Sequence, residues 1–377
     1  MIGIFSFFAG AGFLDLGFEN THHFRTLFVN EFKKSFNDIY QYARNNMGIP
    51  TPVFGHHVGD IFEWLSDNDK NTQLHQYVQE ARNMADIELV GFIGGPPCPD
   101  FSVAGKNKGR DGDNGKLSQT YVDLICDVHP DFFVFENVKG LYRTARHRAY
   151  FEELKEQLAN AGYAMTEQLI NSIEYGAPQD RDRIILIGFH ENVRNALGMQ
   201  ADGAVLCGFN WDNHKLYHRD VLKKGTWPTT SPYQEDVPTE MPDGVIEELT
   251  IQHWWTVNDV ENHPNANMYF KPRAGIVRFQ TKDEGDDAKK CYKRLHRWRY
   301  SPTAAYGNNE VHIHPYKPRR ISVAEALAIQ SLPREFVIPP TTTLSDAFKT
   351  IGNGVPYLAA LGIASNIYDF INHYQEV

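Results

Sequence analysis

The sequence predicts an α/β layer fold with a mostly parallel sheet, joined to a smaller irregular domain. Three observations carry this. Over the first 190 residues short apolar runs alternate with amphipathic stretches, as repeated strand–helix units do. The first apolar run ends in a glycine-rich turn, Phe8-Ala-Gly-Ala-Gly12. After about residue 190 the periodicity fades, and residues 201–275 hold most of the Trp and many Pro.

The elements follow in order. Ile2–Phe8 is an unbroken apolar run, short enough for a buried strand. Phe13–Glu19 is the first amphipathic stretch. Thr26–Val29 is the second strand, and Phe32–Asn45 the helix after it. Leu89–Ile93 and Phe132–Phe135 are further apolar strands, separated by a helical stretch at Leu117–Val128. Tyr150–Ala161 is helical, and Ala164–Ile170 and Arg183–Phe189 close the sheet. Residues 191–345 read as the irregular domain. Within it Ser322–Ser331 is helical, with Ser322 as N-cap and Glu325 at the third helical position, a capping box. Ile351-Gly-Asn353-Gly-Val-Pro356 reads as a loop too glycine-rich for a helix. A last apolar helix then runs to the end.

The composition narrows the class. Of 377 residues, 42% are hydrophobic and 22% charged, which excludes global disorder. Aromatics at 13% supply a sizeable core. The sequence has no run of 18 apolar residues, so no membrane-spanning helix is expected. The start, MIGIFSFFAGAG, reads as a strand and glycine loop rather than a signal peptide. The cysteines at 98, 126, 207 and 291 fit no zinc spacing, so no metal is expected, and they suit a reduced intracellular compartment.

The net charge of −10 weighs against a nucleic-acid partner until its distribution is considered. Residues 235–261 hold eight acids and no Lys or Arg. Residues 273–320 then hold twelve Lys and Arg against five acids, a local +7, so the remainder carries −17. Tyr292, Trp298, Tyr300 and Tyr306 are interleaved there. The expectation is a polarised protein with a basic cleft, in which Arg294, Arg297 and Arg299 contact phosphates or bases. The bland reading of the same stretch is a solvated charged face.

Five motifs bear chemistry. The glycine turn lets backbone approach a ligand, or is merely a tight turn. Glu31, after an apolar strand, suits a ribose diol, and Asp60 suits an adenine amino group; each also reads as a helix cap. Gly94-Gly-Pro-Pro-Cys98 sets a thiol on a constrained loop at a strand end, where a nucleophile is better placed than in an apolar run. Glu136 ends a strand, so its half-buried carboxyl can serve as a proton donor. Arg181 and Arg183 point the same way in extended chain and could clamp a carbonyl or an anion. A surface ion-pair cluster is the alternative for that pair.

Taken in order, FAGAGFLDLGFE, NEF, GDI, GGPPCPDFSVAG, ENVKGL, YGAPQDRDR, PRRISVAEALAIQSLP and IGNGVPYLA closely resemble the bacterial-type C5-cytosine DNA methyltransferases. The resemblance covers residues 1–190 and 318–377. It implies a Rossmann-like S-adenosylmethionine-dependent methyltransferase fold. The catalytic domain would comprise 1–190 plus 346–377, and a target-recognition domain 191–345. It implies Cys98 as nucleophile, Glu136 as the acid beside it, and Arg183 with Arg181 as the holders of a flipped cytosine. Phe8, Gly10, Gly12, Glu31, Phe32, Asp60, Ile61, Pro97, Leu117, Asn353 and Val355 match the positions that bind S-adenosylmethionine. Ser102 falls on a DNA-contacting stretch. Three departures stand out: the family commonly has Asp at position 6, Gly at 13 and Gln at 99, where this chain has Ser6, Phe13 and Pro99.

The implied reaction is methylation of cytosine C5 in a short double-stranded DNA sequence, through a flipped base and a Cys98–C6 adduct, leaving S-adenosylhomocysteine. A monomer suffices, working in a bacterial or archaeal cytoplasm at the nucleoid, with a separate restriction endonuclease as possible companion. An RNA cytosine methyltransferase would carry a Cys-Phe-Thr signature near the recognition region, which is missing. A DNA-binding homologue without catalysis would have no need of Cys98, Glu136 and Arg183. A Rossmann dehydrogenase explains the glycine turn alone.

Overall fold

The computed structural model describes residues 1–97, 113–142, 144–222, 227–272, 276–304, 306 and 310–375. Cys98, Pro99 and Ser102 lie outside the described residues. The sheet is built from β1 (Ile2–Phe7), β2 (Phe24–Glu31), β3 (His56–Val58), β4 (Leu89–Gly94), β5 (Phe132–Val138), β6 (Tyr163–Asn171), β7 (Asp182–His190), β8 (Ala201–Asp202) and β9 (Val205–Leu206). Their order across the sheet is 3-2-1-4-5-7-6-9-8. The half from β3 to β5 is parallel. β7 then runs antiparallel to both β5 and β6. The sheet is therefore mixed. The chain returns from β6 to β7 without a crossover helix, which only antiparallel pairing allows.

Period-two alternation sends side chains to two apolar layers. Phe133 and Phe135 of β5, with Ile184 and Leu186 of β7, join one core. That core is covered by α4 (Asn68–Arg82), α5 (Asp113–Val128) and α6 (Ala145–Asn160), through Leu74, Val78, Val122, Phe151 and Leu154. Phe132, Val134, Ile185 and Ile187 face the other side. There they meet Leu14 and Phe18 of α1 (Phe13–Glu19) and Ile363 and Ile367 of α12 (Tyr357–Gln375).

A third core lies beyond the sheet. Phe13 and Leu16 of α1, and Ile39 and Ala43 of α2 (Lys34–Met47), pack with Ile251, Trp255, Leu295, Tyr306 and Ile321. α10 (Val323–Ile329) and α11 (Leu344–Asn353) complete it through Leu327 and Ile351. The segment 191–345 thus shares a core with the first two helices. Among its described residues the remaining helices are short: α7 (Glu191–Leu197), α8 (Ile251–Val257) and α9 (Ile276–Thr281).

The expected capping box is present. Ser322 accepts from the Glu325 amide at 3.2 Å, and Glu325 accepts from the Ser322 amide at 2.7 Å. Of the expected loop at 351–356, residues 351–353 are instead the last turn of α11, which Thr343 caps, and 354–356 are non-helical. Gly352 in that turn lies against the backbone of Ala304 and Tyr306, where a side chain would not fit. α4 was not expected either. It buries just Leu74, Val78 and Ala81, a thin apolar stripe, and starts at Asp67, whose side chain accepts the amides of Asp69 and Lys70. A further short helix, α3 (Glu63–Ser66), precedes it.

Candidate active site

The strand register brings the chemistry to one edge. Val58 pairs with Glu31, Asn30 with Phe7, Phe7 with Gly94, and Gly94 with Phe135. The carboxyl ends of β3, β2, β1, β4 and β5 are therefore level. Because β7 is antiparallel, its beginning lies at the same edge, with Arg183 opposite Val138. Ligands of open α/β sheets bind outside such an edge.

The glycine turn leaves β1 in left-handed conformations: φ is 53° at Phe8, 58° at Gly10 and 77° at Gly12. Glu31, the last residue of β2, accepts the Gly10 amide and the Lys33 amide, each at 2.8 Å. Burial raises its pKa, and those amides oppose the rise. The carboxylate joins the turn to the end of β2 and keeps further acceptor capacity on both oxygens. Phe32 follows it and is 71% exposed, an aromatic face left open beside the turn. Asp60 accepts the Phe62 amide at 3.0 Å, in the cap-like role that was its alternative reading, and Ile61 beneath it is buried. Leu117 packs against the first core, Val355 is buried in the second, and Pro97 and Asn353 are exposed.

Glu136 and Arg183 meet at the β5–β7 end of the edge. Arg183 Nε lies 2.6 Å from Glu136 Oε1, and Arg183 Nη1 donates to the Asp182 carbonyl at 2.8 Å. Glu136 is 7% exposed. Its other oxygen lies against Gly95, where a Cβ would overlap it. The carboxylate therefore sits against Gly95, three residues before Cys98 in the sequence.

Arg181 departs from expectation. It precedes β7, is 1% exposed, and spends its guanidinium on carbonyls: Ala304 at 2.9 Å, Gly352 at 2.8 Å and Asn353 at 3.4 Å. Burial, and then the charge of Arg183, lower its pKa. It ties the 304 and 352–353 segments to the start of β7, close enough to Arg183 and Glu136 for their charges to act on it. Gln179, which sequence reasoning passed over, shares the task. Its Nε2 donates to Gln330 Oε1 at 3.1 Å, and its Oε1 accepts the Ala304 amide at 3.1 Å.

Two of the three expected DNA-contacting arginines are also internal. Arg294 is fully buried and donates to the carbonyls of His314 and Phe279. Arg297 is buried against Glu284, with Nε on Oε1 and Nη2 on Oε2, both at 2.9 Å. Both take structural roles instead: Arg294 serves carbonyls that loops poor in regular structure leave without donors, and Arg297 neutralises the buried Glu284. Arg299 is half-exposed, with Asp287 at 3.8 Å. Other cations in the basic stretch are paired: Lys290 with Glu310, Lys317 with Glu261 and Arg319 with Glu325. The +7 therefore overstates what faces solvent.

The sequence pattern of the C-5 cytosine-specific DNA methylases matches residues 2–369. The chain belongs to that family. Its activity is the family's, methyl transfer to C5 of cytosine in DNA. The chain is 59% identical over 373 residues to the Type II methyltransferase M.NmeDI of Neisseria meningitidis serogroup C, spanning 99% of this chain and 85% of that one. It is 28% identical over 370 residues to the Type II methyltransferase M.MthTI of Methanothermobacter thermautotrophicus, spanning 97% and 96%. Its fold matches a crystal structure of an E. coli prophage-encoded DNA modification methyltransferase with a TM-score of 0.64 at 20% identity, over 99% and 100% of the chains. The Rossmann-like methyltransferase fold expected from the sequence is thus the one observed.

Two departures from the family pattern acquire a physical setting. Ser6 is buried beneath the glycine turn. Phe13 is buried edge-to-face on Phe336 at 5.2 Å, and its ring fills space that Gly354 leaves open. The edge also suits the methyl donor. A nucleoside needs a diol acceptor and an aromatic face, and Glu31 and Phe32 offer both beside backbone that glycine lets approach closely. Among the described residues no group of three or more His, Cys, Asp or Glu could hold a metal, and no helix is long and apolar enough to cross a membrane.

Proposed function

We propose that this methylase modifies one cytosine within a specific short double-stranded DNA sequence, as the modification half of a type II restriction–modification system. S-adenosylmethionine, when bound, supplies an electrophilic methyl group. Glu31 holds its ribose, Phe32 its adenine face, and Asp60 and Ile61 its adenine edge. Phe8, Gly10, Gly12, Pro97, Leu117, Asn353 and Val355 line the rest.

Cytosine C5 is a poor nucleophile, so covalent addition divides the hard step. The target base swings out of the duplex, at a cost of about a few kcal/mol. The Cys98 thiolate adds to C6, forming an S–C6 bond. Glu136 gives a proton to N3, and Arg183 binds the ring oxygen and orients Glu136. C5 takes the methyl group, leaving S-adenosylhomocysteine; a base removes the C5 proton, the C6–S bond breaks to release the Cys98 thiolate, and N3 returns its proton to Glu136. Ser102 and Arg299 contact the DNA. The protein acts as a monomer in the cytoplasm of a bacterial or archaeal cell, on nucleoid DNA, beside a separately acting endonuclease.

The observation that supports this reading is the Glu136–Arg183 pair set against Gly95, three residues before Cys98 in the sequence. Its test is bisulfite sequencing of host DNA after expression of the wild type and of Cys98→Ser. Methylation at one short motif, absent in the mutant, is expected. Methylated tRNA with unmethylated DNA would overturn the substrate. A duplex carrying 5-fluorocytosine should trap an adduct on Cys98, and a failure to trap one would sink the covalent route.

A further inference from the structure

α2 carries a charge where its apolar face should continue. The buried positions of that helix are Phe36, Asn37, Ile39, Tyr40, Ala43 and Arg44. Arg44 lies one turn beyond Tyr40, is 3% exposed, and stacks with its guanidinium 3.7 Å from the Tyr40 ring centre. A cation buried this deeply needs compensation from its surroundings.

Its partners belong to the glycine turn and to α1. Nη2 donates to the Gly12 carbonyl at 2.8 Å and to Glu19 Oε2 at 3.2 Å. Nη1 donates to the Ala11 carbonyl at 3.4 Å. The Tyr40 hydroxyl donates to Asp15 Oδ1 at 3.0 Å. Gly12 is closed in from this side, since a Cβ there would overlap both Tyr40 and Arg44. The turn is thus gripped at two levels. Glu31 takes the Gly10 amide, and Arg44 takes the carbonyls of Ala11 and Gly12. Turning those carbonyls inward sets the direction in which the rest of the turn faces the edge.

We propose that Arg44 is a positioning residue for the methyl donor: it shapes the Phe8–Gly12 turn from within, and its loss weakens donor binding without slowing the chemical step. This rests on reading the turn as the donor site. The competing role is charge neutralisation, in which Arg44 merely offsets Glu19 and Asp15. The two are separable because Lys keeps the charge and lacks the fork that serves several acceptors at once.

The test uses the full chain as wild type, as Arg44→Lys, and as a triple variant with Asp15→Asn, Glu19→Gln and Arg44→Met. The triple variant removes the buried acids together with the cation, so no uncompensated charge remains. Thermal melts report folding. Calorimetry with S-adenosylhomocysteine and steady-state rates at saturating DNA report the site. Both variants should bind S-adenosylhomocysteine about tenfold more weakly, with KM for S-adenosylmethionine raised about as much and kcat within about twofold of wild type, the scale of one lost hydrogen bond. Wild-type affinity in either folded variant would overturn the proposal, as would a fall in kcat at unchanged KM. Failure of the wild type itself to bind S-adenosylhomocysteine would instead remove the donor-site reading, and this inference with it.

Discussion

The two arginines of the Gln179–Arg183 segment should fail in different ways. Arg181→Met removes the donor that satisfies the carbonyls of Ala304 and Gly352 at 2.9 and 2.8 Å. An orphaned buried acceptor costs about 1–3 kcal/mol, so two cost roughly 2–6 kcal/mol. Relief from burying a guanidinium offsets part of this. A net loss of about 2–4 kcal/mol corresponds to a fall in Tm on the order of 5–10 °C. At 20 °C, where the protein stays folded, methyl transfer should remain within about tenfold of wild type, since positioning losses of about 1.4 kcal/mol translate to that factor. Arg183→Met removes the cation 2.6 Å from Glu136, and with it the orientation of the proposed acid. Loss of a positioned acid costs about 100-fold or more in kcat. The assay is incorporation of labelled methyl groups into duplex DNA at saturating donor, beside thermal melts of each variant. If Arg181→Met melted with the wild type yet lost transfer as fully as Arg183→Met, the separation of roles would be wrong.

Gly354 has an ordinary φ of −64°, so Gly354→Ala is opposed by collision with the Phe13 ring and not by backbone strain. It should destabilise by about 1–3 kcal/mol in urea titrations, and much of that should vanish in a Phe13→Leu background. Glu325 is buried, which alone would raise its pKa, yet His314 and Arg319 hold it below 4.5. A depressed folded-state pKa contributes stability that is present above pH 4.5 and lost as pH falls below it. Urea midpoints measured down the acid limb should therefore fall less steeply for Glu325→Gln than for wild type, and parallel curves would refute this. Arg294→Met and Arg297→Met should lower Tm. Arg299→Ala should instead weaken DNA binding and reduce the salt dependence, as anisotropy with a labelled duplex would show.

Much of the fold was legible because its signals are local. β1, β4, β5 and β7 are apolar runs whose period-two faces need no partner to be recognised. The Ser322–Glu325 box is complete within four residues. β3 and α4 were missed for the opposite reason. β3 is three residues long and half-exposed, and the apolar stripe of α4 is too thin to read without the core beneath it. The glycines at 352 and 354 argue for a loop; the chain is non-helical at 354–356, whereas α11 continues through Gly352, which packs against Tyr306.

The sequence by itself determined the family, the α/β order of elements and the edge on which Glu31 and Glu136 would end, since each depends on residue types at fixed spacing. It could not apportion the arginines. Arg181 and Arg183 sit two apart, and Arg294 and Arg297 lie in a basic stretch, so spacing treats them as equivalent. What separates them is which buried acceptors, backbone carbonyls for Arg181 and Arg294 and the Glu284 carboxylate for Arg297, need a donor once the chain has folded. Ala304, Gly352 and His314 come from segments remote in the chain, and a buried acceptor left unpaired costs more than a surface cation contributes. Packing therefore claimed Arg181, Arg294, Arg297 and Arg44 for the interior, and left Arg183 beside Glu136 at the edge.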